Sequence, residues 1–255
     1  MTDQEWSVLL AVAATVPPAN TRAVTFLKAW PSYSKPAAMS CDDGHTYVAK
    51  GRVGIERSMI AEQVIGRLTP HIDAPVPPVI LVQIDDLRVL EPQMAAFAPG
   101  RLAHGSRDAG EPCGDRMGFQ HGFAAENRSR FAALCILYSW CLASDHQVIY
   151  GNATPHLVYS VDHGHFLAGG PNWTAATLQA GPPAVQDGYF TPLNLTDAEL
   201  RDGRRRLAAI TAEQIATAVA APPDDWGLTL QDRIVLAEYL LTRKNQLDAA
   251  WAALI

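Results

Sequence analysis

Strand signals, mixed with helix, are confined to the first part of this chain, up to about residue 90, and from Gly100 onward the pattern is mainly helical. A chain that segregates its periods in this way folds as α+β rather than as alternating βαβ units. Ala37–Ser40 and Thr46–Lys50 are β-prone runs separated by Asp42-Asp43-Gly44, which predicts a hairpin. Arg57–Leu68 follows as a helix, with Met59, Ile60, Val64, Ile65 and Leu68 on one stripe, ended by Pro70, Pro75, Pro77 and Pro78. Val79–Val82 and Leu87–Leu90 read as further strands around an Asp85-Asp86 turn. Arg128–Ala143 carries Phe131, Leu134, Cys135, Leu137, Tyr138 and Leu142 at helical spacing. Helices are also expected at Thr196–Ile210, at Thr211–Val219 with a Thr211/Gln214 capping box, and at Thr229–Ala252 after a turn at Pro222–Gly227. The expected organisation is a small β-rich lobe over 1–92, a link near 91–100 and a larger helical lobe over 93–255.

The 255 residues suffice for two lobes, and 48% hydrophobic content supplies a substantial core. A net charge of −6 without long charged runs gives no footprint for nucleic acid or an anionic membrane surface. Arg204-Arg205-Arg206 reads as a solvated helix face. No apolar run approaches the ~20 residues that span a bilayer. Ser7–Val16 is apolar, but Asp3 and Glu5 stand where a signal peptide is positive, so a core strand or helix is expected. Cys41, Cys113, Cys135 and Cys141 lack CxxC spacing, and Cys135 and Cys141 lie within an apolar helix. A reduced, cytoplasmic protein is expected.

Chemistry concentrates between Trp140 and Trp173. An apolar helix runs into Asp145, Asn152 follows, and an apolar strand ends at Asp162-His163-Gly164. An acid at a helix C-terminus opposes the macrodipole and calls for a partner or metal. Asp145 would orient an acceptor hydroxyl, with Asp162 and Asn152 as oxygen ligands for magnesium; Asn152 in Tyr-Gly-Asn-Ala also reads as a turn residue. Lys50 ends a strand, and alone it would reach solvent. Glu62 on the next helix could pair with it and fix the ammonium where phosphate sits. His146, His156, His163 and His165 could hold zinc, but no third ligand motif of fixed spacing accompanies His163-x-His165, and hydrogen-bonding roles are the preferred reading. There is no Gly-x-Ser-x-Gly, and no cysteine has catalytic flanks.

Taken in order, several segments resemble the HipA-like kinases, especially compact bacterial members. They are Cys41–Lys50, Ala61–Leu68, Ala74–Pro78, Pro99–Arg107, Val161-Asp162-His163-Gly164-His165-Phe166, Gly169-Gly170-Pro171-Asn172-Trp173 and Asp225-Trp226-Gly227-Leu228. The resemblance implies a bilobal protein-kinase-like fold related to the phosphoinositide-kinase branch, with ATP between the lobes. It implies Lys50 on phosphate, Glu62 supporting that lysine, Asp145 as catalytic aspartate and Asp162 as metal ligand. The backbone of Glu91-Pro92-Gln93 would face adenine. Two departures stand out. The family's metal asparagine follows its aspartate by five residues, whereas Asn152 follows Asp145 by seven; either Asn152 is a shifted ligand, Gln147 substitutes, or the second metal site is absent. The expected phosphate loop, Trp30–Pro36, has no glycine, so that hydroxyls such as Ser34, together with Lys35, would reach phosphate less closely.

These readings lead to a magnesium-dependent ATP phosphotransferase of the HipA-like type, acting on a Ser/Thr hydroxyl of a protein. A small-molecule hydroxyl is the other acceptor class, and the family admits an antitoxin-like or regulatory protein partner. A nucleotide-binding pseudokinase and a histidine-based metal hydrolase are the alternatives.

Overall fold

A computed structural model describes residues 1–110 and 118–252; Cys113 lies outside the described residues. Five strands, β1 (Asn20–Ala29), β2 (Ala37–Cys41), β3 (Thr46–Lys50), β4 (Val79–Gln83) and β5 (Ala103–Arg107), form a closed barrel in the order β1-β2-β3-β5-β4. All neighbours are antiparallel except β1 and β4, whose parallel pairing closes the barrel. The β2–β3 hairpin turns at Gly44, whose φ of +81° suits a residue without Cβ. Met39, Tyr47, Ala49, Val82 and Phe97 belong to the apolar cluster of the barrel.

The helices are α1 (Asp3–Ala14), α2 (Glu56–Leu68), α3 (Asp85–Leu90), α4 (Ala125–Cys141), α5 (Ala175–Gln179), α6 (Asp197–Ala208), α7 (Ala212–Ala220) and α8 (Leu230–Ala252). The apolar N-terminal run is helical. Thr2 and Glu5 form its capping box, and the acids that replace a positive flank sit in the first turn, where the dipole favours them. The expected Thr211/Gln214 box is present at α7. Among the described residues no helix is long and apolar enough to cross a membrane.

Two elements differ from expectation. Leu87–Leu90 is not a strand but part of α3. Asp85 and Asp86 occupy its first turn, Leu87 is buried, and Val89 and Leu90 stay 81% and 72% exposed. The strand β5 lies where helix was expected. Its sequence, Ala-His-Gly-Ser-Arg, has no strand propensity of its own, and pairing with β3 and β4 on both sides imposes the conformation. The division at residues 92/93 therefore falls short, because a barrel strand follows it. The N-terminal α1 likewise packs with the C-terminal helices: Trp6 is fully buried and donates Nε1 to Glu238.

A second core joins α2 to the helical layer. Ile60, Val64 and Ile65 share it with Phe131, Leu134, Leu137, Ile215, Leu236 and Leu240. Residues 131–141 of α4 are buried throughout. The carbonyl end of α4 is satisfied by Arg243 of α8, which donates to Trp140 O at 2.6 Å and Ser139 O at 2.9 Å.

Gly66 lies inside α2, where glycine is a poor helix former, and its position is explained by β4. A Cβ there would meet the two Val79 methyls at 2.4 and 2.8 Å. Gly66→Ala is therefore expected to destabilise the protein by about 1–2 kcal/mol, overpacking outweighing a helix-propensity gain of roughly 1 kcal/mol. In a Val79→Ala background the same change is expected to become neutral or stabilising. Urea unfolding of the four proteins measures this, and an unchanged sign in both backgrounds would refute the packing explanation.

Candidate functional site

Lys50 ends β3 with its side chain buried. Its Nζ lies 2.5 Å from Glu62 Oε1 of α2 and 2.6 Å from Asp162 Oδ1. Burial alone would lower the Lys50 pKa and raise that of Glu62. The attractions outweigh it, from Glu62 and Asp162 on the lysine and from Lys50 and His104 on the glutamate. Lys50 is thus held above the ordinary lysine range and Glu62 below the ordinary carboxylate range, and both are charged. The side chain of Asp162 is 35% exposed and lines a cavity.

Asp162 is delivered by a short hairpin of β6 (Val148–Tyr150) and β7 (Val158–Ser160), extended by Val161 N donating to Gln147 O. At Asp162 the backbone leaves the strand with φ +63° and enters a 3-10 turn over His163–His165. Gly164 lets that turn lie close on α2: a Cβ would fall 1.9 Å from Ser58 Oγ, 3.1 Å from Ser58 Cβ and 3.4 Å from Glu62 Oε1, so Ser58 would have to shift. His163 is buried, with Nε2 2.8 Å from Ser160 Oγ, which in turn meets Tyr138 Oη at 2.7 Å. Burial pushes its imidazole down to about 4, so it is neutral at physiological pH.

After α4, Leu142 takes φ +62° and turns the chain toward Asp145. Ser144 donates both N and Oγ to His165 O, tying the Asp145 loop to the Asp162 turn. Gln147 donates Nε2 to Asp145 Oδ2 at 2.8 Å. Gln147 and Asp162 line the same cavity as Lys50, while Asp145 stands behind Gln147 rather than in the lining. The helix end that seemed hostile to an acid is the one whose carbonyls Arg243 caps.

Asn152 is not brought to this cluster. It lies in the β6–β7 turn, at the far end of the hairpin from Asp162, and a Cβ on Gly110 would come 3.8 Å from its Nδ2. Of the two sequence candidates for a second ligand, Gln147 is the one beside Asp162. The histidines disperse as well. His146 Nε2 meets Asp187 Oδ2 at 3.0 Å and stacks on Tyr189, and His156 Nδ1 meets Gly151 O. Among the described residues no group of three or more His, Cys, Asp or Glu side chains is arranged to hold a metal. Burial raises the thiols of Cys135 and Cys141 to about 12 and Cys41 to about 11, leaving them inert.

The cavity measures about 510 Å³, within the size of small-molecule sites. Leu27, Ala38 and Val48 of the barrel and Ile149 and Val161 of the hairpin supply apolar wall. Lys50, Glu62 and Asp162 supply charge, and Ser106 and Arg107 of β5 with Asp108–Gly110 after it continue the lining. Glu91 and Gln93 are not in the lining; they belong to the turn after α3. The sequence reading missed β5, a barrel strand that follows this turn. In the turn between β1 and β2, Trp30, Ser32 and Pro36 reach the cavity and Ser34 and Lys35 do not. Lys35 N bonds Ser32 O in a tight turn that leaves the lysine exposed. Arg52 clamps the turn, donating to Tyr33 O and lying 4.7 Å from its ring centroid. The lysine on this edge of the cavity is Lys28, whose Nζ sits 4.7 Å from the Trp30 ring centroid.

No protein-family model matches the chain, and no curated protein matches it. Solved structures do. A crystal structure of a Helicobacter pylori proinflammatory kinase, CtkA, aligns with a TM-score of 0.58 and 12% identity over 92% of this chain and 98% of that one. The Golgi casein kinase aligns at 9% identity over 99% of this chain and 78% of that one, with a TM-score of 0.44 too low to argue from. The chain has a kinase-like α+β fold.

Removing one member of the buried ion pair should cost more than removing both. Glu62→Leu is expected to lower stability by about 3 kcal/mol, and Lys50→Met with Glu62→Leu by clearly less, because the single change strands an ammonium with only the part-exposed Asp162. Urea midpoints decide, and additive losses in the double variant would count against a coupled buried pair.

Proposed function

We propose that this chain is a magnesium-dependent ATP phosphotransferase of the HipA-like type, acting on a Ser/Thr hydroxyl of a protein. The observation that carries the reading is the Lys50 ammonium shared by Glu62 and Asp162 on the wall of a nucleotide-sized, partly apolar cavity. In this reading Leu27, Ala38, Val48, Ile149 and Val161 enclose the adenine ring, and the backbone after β5, at Asp108–Gly110, meets its polar edge. Lys50 holds phosphate oxygens, with Lys28 and Ser32 on the outer edge. Asp145 accepts the proton of the attacking hydroxyl, and Gln147 orients its carboxylate.

Asp162 and the amide oxygen of Gln147 are hard oxygen donors on the same wall and fit magnesium. Bound there, the ion would neutralise charge on the transferring phosphoryl group. Everything else asked of the protein is positioning. A small-molecule hydroxyl is the other acceptor class, and nothing in the fold supports an antitoxin-like partner. A nucleotide-binding pseudokinase is the second reading, favoured by the distance of Asn152 from the cluster and by the clamped, glycine-free turn.

Calorimetry with ATP, with and without magnesium, and transfer of labelled phosphate to a generic protein substrate or to the chain itself test the proposal. Asp162→Ala is expected to abolish the magnesium-dependent part of ATP affinity and to reduce turnover by ~10² or more. Asp145→Asn is expected to keep ATP affinity while turnover falls by ~10²–10⁴. Unchanged magnesium-ATP turnover in Asp162→Ala would overturn the assignment, and ATP binding without transfer would favour the second reading.

A further inference from the structure

His104 on β5 pairs with Lys50 on β3 and is 1% exposed. Its ring joins two residues of α2: Nδ1 lies 3.0 Å from Gln63 Nε2, and Nε2 lies 3.2 Å from Glu62 Oε2. The tautomer follows from neighbours whose roles are fixed. Ile80 O, which only accepts, is 2.8 Å from Gln63 Nε2, and Arg67 Nε, which only donates, is 3.0 Å from Gln63 Oε1. Flipping the amide would set acceptor against acceptor and donor against donor. Gln63 therefore donates to Nδ1, and the ring proton is on Nε2, facing the carboxylate. The opposite tautomer would aim a lone pair at an anion. The Nε2–Glu62 approach is an ion-pair contact rather than a hydrogen bond of standard geometry, and among the described residues the buried Nε2 has no hydrogen-bond partner.

We propose that His104 is a positioning residue of the nucleotide site, its Nε2–H holding Oε2 of Glu62 so that Oε1 stays on Lys50. A polar chain then runs Arg67–Gln63–His104–Glu62–Lys50–Asp162 from the far end of α2 to the Asp162 turn. A carboxylate bonded through one oxygen can rotate about its last bond; an N–H facing its second oxygen at 3.2 Å opposes that rotation and keeps the ammonium in one place. The kinetic consequence rests on the reading of Lys50 as a phosphate ligand, whereas the tautomer does not.

Nitrogen-15 NMR of the full, nucleotide-free chain reads the tautomer directly. A protonated Nε2 with an unprotonated Nδ1 at His104 is expected, and a protonated Nδ1 would overturn the proposal. His104→Phe, which keeps the bulk, and His104→Gln, whose amide can reach Glu62, provide the functional arm. If the chain transfers phosphate, His104→Phe should lower kcat/KM by ~10–100-fold, mostly in kcat, with the glutamine variant within about threefold of wild type. Equal effects in both variants, or none in either, would overturn it. A wild-type chain that neither binds ATP nor transfers phosphate would refute the kinase reading, and the spectrum alone would then decide the contact at His104.

Discussion

An ammonium buried with only one carboxylate is a poor bargain in free energy, and the site depends on how Lys50 avoids that position. Desolvation works against every charge in the cluster. What offsets it is convergence: one carboxylate arrives from α2 and a second from the turn after β7. The three groups belong to a barrel, to a helix that shares the second core, and to the hairpin beneath the cavity. Their ion pairs therefore join the parts as well as line the cavity. One positive and two negative charges leave the cluster net negative toward the cavity, the polarity that suits a cation.

The second fixed arrangement is that of the two loops. Ser144 grips the carbonyl of His165 twice, and Gln147 bonds both Asp145 and the backbone beside Asp162. The Asp145 loop and the Asp162 turn are thus set by each other. Behind them, Arg243 satisfies the end of α4, and Tyr239 Oη accepts from Ala168 N. The long last helix serves as the rear wall behind this loop and turn.

Much of this was legible in the sequence because the signals were local. Gly44 between β-prone runs, the apolar stripe of α2 and the Thr211/Gln214 box each specify an element within a few residues. Lys50 and Glu62 were found as a pair because strand end and helix fix their separation. The strand β5 was not legible, since Ala-His-Gly-Ser-Arg becomes a strand only between β3 and β4. That omission left the expected link at Glu91–Gln93, ahead of a strand of the barrel, and hid His104. Asn152 misled for a related reason: spacing in sequence says nothing of which end of a hairpin a turn residue occupies. Lys35 misled because a tight turn points it away, a matter of backbone angle rather than residue type.

Gly164 carries a further consequence. With a bare backbone pressed on Ser58 and close under Glu62, the turn and α2 touch without any cushion between them. Tilting the helix outward would open a void that no side chain could swing in to fill, and adding a methyl group would act as a wedge. Close fit of this kind couples the position of the helix to that of the turn, so a shift in one is felt by the other at Glu62.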